Sequence, residues 1–310
     1  MKKMINATHI EGLLYQHTLE LKVSGENSKN PGTQFISGNI EIMTDDAGIN
    51  IVPVHFTYVT ATKRNGGTND TFVVLKNIID KVYRTYMEDG DTATKFRIDS
   101  AIGLNEFYTD RNGKEELVST KRNEGGFVHV VNEIDADEKK RNTFACDMII
   151  TNVSIKEADE EKNLPEKAIV KGAIFDFRNS LLPVEFSAVN PNAIAYFEGL
   201  GASGKEPVFT KVWGRQVSET VVRTITEESA IGDPSVREIK NTRKDFVITG
   251  AASEPYAWDD EGSITAKELT EAMAARETAL AAMKARNDEY KASRGNATAA
   301  ATPANGGFNF

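Results

Sequence analysis

The chain has 310 residues, a formal net charge of −9, 40% hydrophobic residues and one cysteine, enough for two domains of ordinary size plus an extension. The acidity excludes a protein that coats duplex DNA by bulk charge. Cys146 alone excludes an internal disulfide, and with His9, His17, His55 and His129 scattered singly it leaves no ligand set for zinc. No apolar run approaches a membrane span, and the first residues carry no signal-peptide core, so a reducing cytoplasm is the expected compartment.

In chain order, residues 1–18 show no clear pattern. Strand-like runs follow at 19–23, 36–42 and 53–59, then a helical patch at 72–86 and strands at 95–98 and 127–131. Asp45-Asp46-Ala47-Gly48 and Arg111-Asn112-Gly113-Lys114 read as turns, the second because Asn-Gly adopts positive φ readily. Residues 1–135 are assigned to a first β domain and the acidic, lysine-rich 136–143 to a linker. In 144–258 the same order returns: strands at 149–155, 170–177 and 183–189, a helical patch at 193–200, and strands at 208–213 and 246–249. The repeat is clearest where Pro53-Val54-His55-Phe56-Thr57-Tyr58-Val59 aligns with Pro183-Val184-Glu185-Phe186-Ser187-Ala188-Val189. Two copies of a small β domain are therefore predicted, with Phe56, Phe96, Phe127, Phe186 and Phe246 in their cores.

Residues 259–294 are predicted to hold a helix, capped by Thr265 with Glu268 reaching back. Leu269, Met273, Leu280, Met283 and Tyr290 form its apolar stripe, interrupted by Arg276 and Asn287. Residues 295–310, poor in core-forming side chains, are expected to be a flexible tail ending on Phe308 and Phe310.

No motif supports catalysis. There is no Gly-x-Ser-x-Gly elbow and no His-Glu-x-x-His, and Gly199-Leu200-Gly201-Ala202-Ser203-Gly204 lacks the Lys-Ser/Thr ending of a phosphate loop. The expectation is a protein that is not an enzyme and needs no cofactor or metal. Aromatic residues do interleave with cations. Phe209, Lys211 and Trp213 share a strand face by parity, followed by Arg215; Phe177 precedes Arg178; Lys95 and Arg97 flank a phenylalanine; Tyr108 precedes Arg111. Basic pairs lie in presumed loops at Lys63 and Arg64, Lys121 and Arg122, and Arg243 and Lys244. Rings that stack on unpaired bases, beside cations that follow phosphates, are what single-strand binding requires.

Val212-Trp213-Gly214-Arg215-Gln216-Val217-Ser218-Glu219 resembles the aromatic-Gly-Lys/Arg-x-Ala-Glu turn of bacterial single-stranded-DNA-binding proteins, with Val217 in place of the alanine. More loosely, the whole chain resembles the tandem single-strand binders of phages and mobile elements. Ile102-Gly103-Leu104-Asn105-Glu106-Phe107-Tyr108 marks the first half. The resemblance implies two tandem OB-like five-stranded barrels, base stacking by Trp213 with Arg215 as the basic position, and sequence-tolerant binding of single-stranded DNA in replication, recombination or repair. It also suggests docking of replication or recombination proteins through Phe308 and Phe310, although the tip lacks the family's acidic residues and proline. A homo-oligomer is compatible with this reading. The alternatives are a structural or protein-interaction scaffold and an inhibitor of a host nuclease.

Overall fold

The computed structural model describes residues 4–111, 113–158, 165–227, 235–259 and 263–300. The chain is mainly β with a C-terminal helix. Its first half contains β1 (Asn6–His17), β2 (Glu20–Val23), β3 (Gln34–Met43), β4 (Ile51–Thr60), α1 (Asp70–Ile79), α2 (Tyr86–Asp89), β5 (Lys95–Arg111) and β6 (Lys114–Val130). The second contains β7 (Asn142–Lys156), β8 (Lys167–Phe175), β9 (Leu181–Ala188), α3 (Pro191–Gly199), β10 (Val208–Glu227) and β11 (Ser235–Ala251), and α4 (Ala266–Ala300) follows.

All eleven strands form one sheet in the order β10-β11-β9-β8-β7-β1-β5-β6-β4-β3-β2, with β10–β7 and β1–β3 as further pairings. Those two pairings close each half into a ring of five strands. In the first, β1, β5, β6, β4 and β3 pair in circuit; in the second, β7, β10, β11, β9 and β8 do. Every contact in each ring is antiparallel except one, β4 with β6 and β9 with β11. The Pro-Val-x-Phe segments are β4 and β9, and Val54, Phe56, Val184 and Phe186 are buried as the period of two requires. Full burial of side chains this size contributes about 1.5–3 kcal/mol each.

The run at 19–23 is not the first strand of its ring. That role falls to β1, within the stretch that had no pattern, while β2 pairs only with β3 and is exposed along its length. Alternation in β1 is clear once its start is known: Thr8, Ile10 and Leu14 are buried and their neighbours are not.

The two rings are joined through β1. One edge of β1 pairs with β5. The other pairs with β3 at its C-terminal end and, over Asn6–Ile10, with Cys146–Asn142 of β7. Beside this seam lies a buried amide network. The carbonyl of Gln216 accepts from Asn142 Nδ2 (2.9 Å) and Asn50 Nδ2 (3.3 Å), and Asn123 Nδ2 donates to Gln216 Oε1 (2.7 Å). The Ser218 amide donates to Asn50 Oδ1 (2.6 Å). The connection between halves is tied down as well, since buried Arg141 pairs with Asp46 at 2.6 Å and donates to the Asp135 carbonyl.

The β5–β6 hairpin serves both halves. Phe96, Ile98 and Val128 pack in the first core, and Ile102 packs with Phe144 and Phe186 in the second. Lys121, expected in a loop, is in β6; its ammonium donates to the Glu185 carbonyl and faces the rings of Phe186 and Phe246 at 5.3 and 5.5 Å. Burial pushes its pKa below the ordinary lysine value.

Helix α4 starts as predicted: Glu268 N donates to Thr265 Oγ1 (3.1 Å), and Thr265 N donates to Glu268 Oε2 (3.0 Å). Ile264 and Leu269 anchor its start in a small cluster with Phe209 and Trp258. The helix then follows the hairpin tip. Arg276 and Asn287, which break the apolar stripe, are docking residues: Arg276 pairs with Glu106 (2.5 Å) and donates to the Leu181 carbonyl, and Asn287 donates to Glu115 (3.0 Å). Met273 and Tyr290 are exposed instead. The helix continues past residue 294 to Ala300; the remaining tail, with Phe308 and Phe310, lies outside the described residues.

Two outcomes follow for stability. Asn142→Ala removes two donated bonds from the buried network at the seam and the acceptor of Arg215 Nε, and should cost about 1–3 kcal/mol, read as a lower urea midpoint at unchanged slope. Lys284 and then Lys291, hydrogen-bonded to Glu115, hold its carboxyl down at about 2 against an ordinary 4.5. A folded value below the unfolded one means the contribution is complete above about pH 4.5 and is lost as pH falls toward 2. An NMR titration of the Glu115 carboxyl should show the low midpoint, and replacing both lysines by alanine should raise it toward 4.5; an ordinary midpoint in the unaltered protein contradicts the docking.

Candidate nucleic-acid interface

Strand β10 positions the central residues. Trp213 is 41% exposed, and Lys211 and Arg215 are partly exposed on the same side. The register against β11 shifts between Trp213 and Gly214. Gly214 is required there because a Cβ would fall on the Val247 carbonyl oxygen, and Gly250 leaves room for the Trp213 indole lying against it. The ring is thus seated on backbone with one side open.

Trp213 and Arg215 border a crevice of about 580 Å³ that spans the seam. Its other walls include Ala7 and His9 of β1, Asp99 of β5, Thr143 of β7, Thr249 of β11 and Lys139. Arg215 is oriented by its Nε donating to Asn142 Oδ1 (3.2 Å). His9 Nδ1 lies 3.0 Å from Asp99 Oδ1, and its Nε2 lies 3.5 Å from Glu11. The crevice therefore offers one open aromatic face, the cations Arg215 and Lys139, and a central polar group.

Phe209 is a correction. Although it shares strand parity with Lys211 and Trp213, it is 1% exposed, covered by Tyr256 and Trp258 at ring distances of 4.9 and 6.0 Å. The covering segment follows β11 and cannot be read from β10's own pattern.

The other predicted residues are dispersed. Arg97 is exposed on β5 with its Nε 3.8 Å from Asp99, close to the crevice. Lys95 donates to the Asn132 carbonyl (3.1 Å). Tyr108 lies under the Lys284 ammonium at 5.6 Å, so α4 already occupies that ring, and Arg111 ends β5 beyond it. Phe177 is 76% exposed in the turn after β8, with Arg178 over its own ring at 4.9 Å. Lys63 is paired with Asp70 (2.9 Å), while Arg64 borders a separate concavity of about 750 Å³ with Lys29 and Tyr58. Half-buried Lys121 is a structural contact between halves rather than a loop cation, and Arg122 is engaged by Glu124 (2.8 Å). Arg243 and Lys244 are not in a loop but in β11, opposite Glu219 and Ser218.

Sequence reasoning missed three residues here. His9 belongs to the unassigned first strand, and Lys139 lies in the presumed linker. Phe127, expected in the core, is 71% exposed. Among the described residues no cluster of three or more His, Cys, Asp or Glu could hold a metal ion. Cys146 is fully buried, and burial pushes its thiol far up, out of the range of a nucleophile. No helix among the described residues is long and apolar enough to cross a membrane.

The YorF family model matches residues 5–286, covering both rings, the seam and most of α4. The chain belongs to the YorF family. No curated protein matches it. In this YorF-family chain the matched span thus includes every residue of the crevice.

The seating of Trp213 can be tested without a ligand. In a Trp258→Phe background, Gly250→Ala should displace the indole, red-shifting its emission and increasing quenching by acrylamide; an unchanged spectrum would mean that Gly250 does not set its position.

Proposed function

We propose that this chain binds single-stranded DNA, tolerant of sequence, through the Trp213 crevice, and that each five-stranded ring is an OB-type barrel. The barrel reading is supported by strand order. In each ring three strands, interrupted in the first ring only by β2, are followed by helix and two more strands, and the single parallel contact joins the third ring strand to the fifth. Five-stranded Greek-key barrels of this kind commonly carry oligonucleotides. The observation that carries the function is Trp213: a half-open indole held on Gly250, in a crevice it shares with Arg215 and Lys139, with Lys211 two residues away on the same strand face. Such a ring accepts any base face, and the cations neutralise phosphates without reading sequence.

The reading describes a binder with no catalytic step, acting where single strands are exposed in replication, recombination or repair. Titrating oligo-dT into a Trp258→Phe variant should quench Trp213 emission, with affinity falling as salt rises. Trp213→Ala should weaken binding by about 1–3 kcal/mol, and Lys211→Glu should weaken it and flatten the salt dependence. Absence of salt-sensitive binding removes the proposal. A large assembly on size exclusion without DNA would favour the scaffold reading instead.

A further inference from the structure

We infer that the binding strip continues across the seam into the first half, with Phe127 as a second base-stacking residue, so that one single strand lies over both rings. The inference rests on the single-strand-binding reading of the Trp213 crevice. Phe127 stands opposite Asp99, Asp99 opposite His9, His9 opposite Thr143, and Thr143 opposite Arg215. Directly opposed residues in paired strands present their side chains on the same face. These five residues therefore form one row across β6, β5, β1, β7 and β10. Four strand spacings of about 4.8 Å place Phe127 about 19 Å from the Arg215 end.

The local backbone turns Phe127 outward. Gly125 and Gly126 have φ of +64° and +121°, and the β5–β6 register shifts at Asp99/Ala101. A Cβ on Gly126 would fall on the Asp99 carbonyl oxygen, so only glycine permits this approach. After the shift Val128 points into the first core and Phe127 points away from it. A phenyl ring 71% exposed on a well-paired strand contributes nothing to the core it leaves. Charge identifies the occupant. Arg97 flanks the row at the Phe127 end and Arg215 at the other, where phosphates would lie. Between them His9 is held by Asp99 and Glu11, a polar centre that repels phosphate but can meet base edges. Rings at both ends, cations beside each and a polar middle match an extended single-stranded oligonucleotide.

The test uses the full chain and oligo-dT and oligo-U of about 20 nucleotides, long enough to cover both ends. Phe127→Ala should leave the thermal midpoint unchanged and weaken binding roughly 5- to 150-fold. Phe127→Trp, in a chain carrying Trp213→Phe and Trp258→Phe, should show its own quenching when the oligonucleotide is added. If the unaltered protein binds but Phe127→Ala binds as tightly and the Phe127→Trp emission does not move, the strip ends at the seam; the Trp213 site then stands alone. If the unaltered protein binds neither oligonucleotide, both readings fall together. Loss with only one of the two oligonucleotides assigns the strip to that nucleic acid.

Discussion

The seam between β1 and β7 is the constraint on which the rest of the structure depends. Two β rings joined by a flexible connection would sample many relative orientations. Here main-chain pairing over Asn6–Ile10 fixes spacing and direction, and the amides of Asn50, Asn123, Asn142 and Gln216 fix register. These groups are buried, and an unmade bond there costs about 1–3 kcal/mol. A slip of one residue along the seam would break several at once. Strand pairing alone is permissive; the bonds this network makes between the halves favour one arrangement over its neighbours, even though Asn123 Oδ1 and Gln216 Nε2 within it have no partner among the described residues.

A fixed seam lets the β5–β6 hairpin belong to both halves. Its first part fills one core with Phe96 and Ile98, and Ile102 fills the other. Lys121 reaches the Glu185 carbonyl from the same hairpin, and its desolvation is offset by that bond and by two ring faces. Beyond the cores the hairpin is polar and would be poorly supported by itself. Helix α4 supplies the support, its Arg276, Lys284 and Lys291 meeting Glu106, Glu115 and Asp110. Most of these pairs are exposed and individually weak, but Arg276 with Glu106 is largely shielded from water and gives the helix its register.

The parts of this arrangement legible in the sequence are those governed by local pattern. The Pro-Val-x-Phe repeat located the equivalent buried strands because β4 and β9 alternate cleanly. The cap of α4 was legible because Thr265 and Glu268 are close in sequence. Failures occur where a distant segment decides. Phe209 follows the parity of Trp213 but is covered by Tyr256 and Trp258. Phe127 is turned outward by the glycine bulge at Gly125 and Gly126. Lys121 and Arg243 looked like loop residues because long hairpin strands that leave a core lose their apolar alternation. Arg276 and Asn287 looked like defects in a stripe because their partners lie about 170 residues away.

The net charge of −9 is compatible with an anionic ligand once the location of the carboxylates is considered. Glu106, Glu115 and Asp110 are neutralised by α4, Asp46 by Arg141, and Asp245 by Lys167. At physiological salt a charge is screened beyond about 8 Å, so a phosphate responds to its immediate surroundings rather than to the sum over the chain. Around Trp213 those surroundings include Arg215 and Lys139, with Lys211 on the same strand face, while Asp99 is shared between His9 and Arg97 and Glu11 also faces His9. Distant carboxylates would still slow the approach of a polyanion and discourage contact with the rest of the surface. Under the proposed reading, the same distribution would confine a nucleic acid to the strip and disfavour adhesion to a duplex beside it.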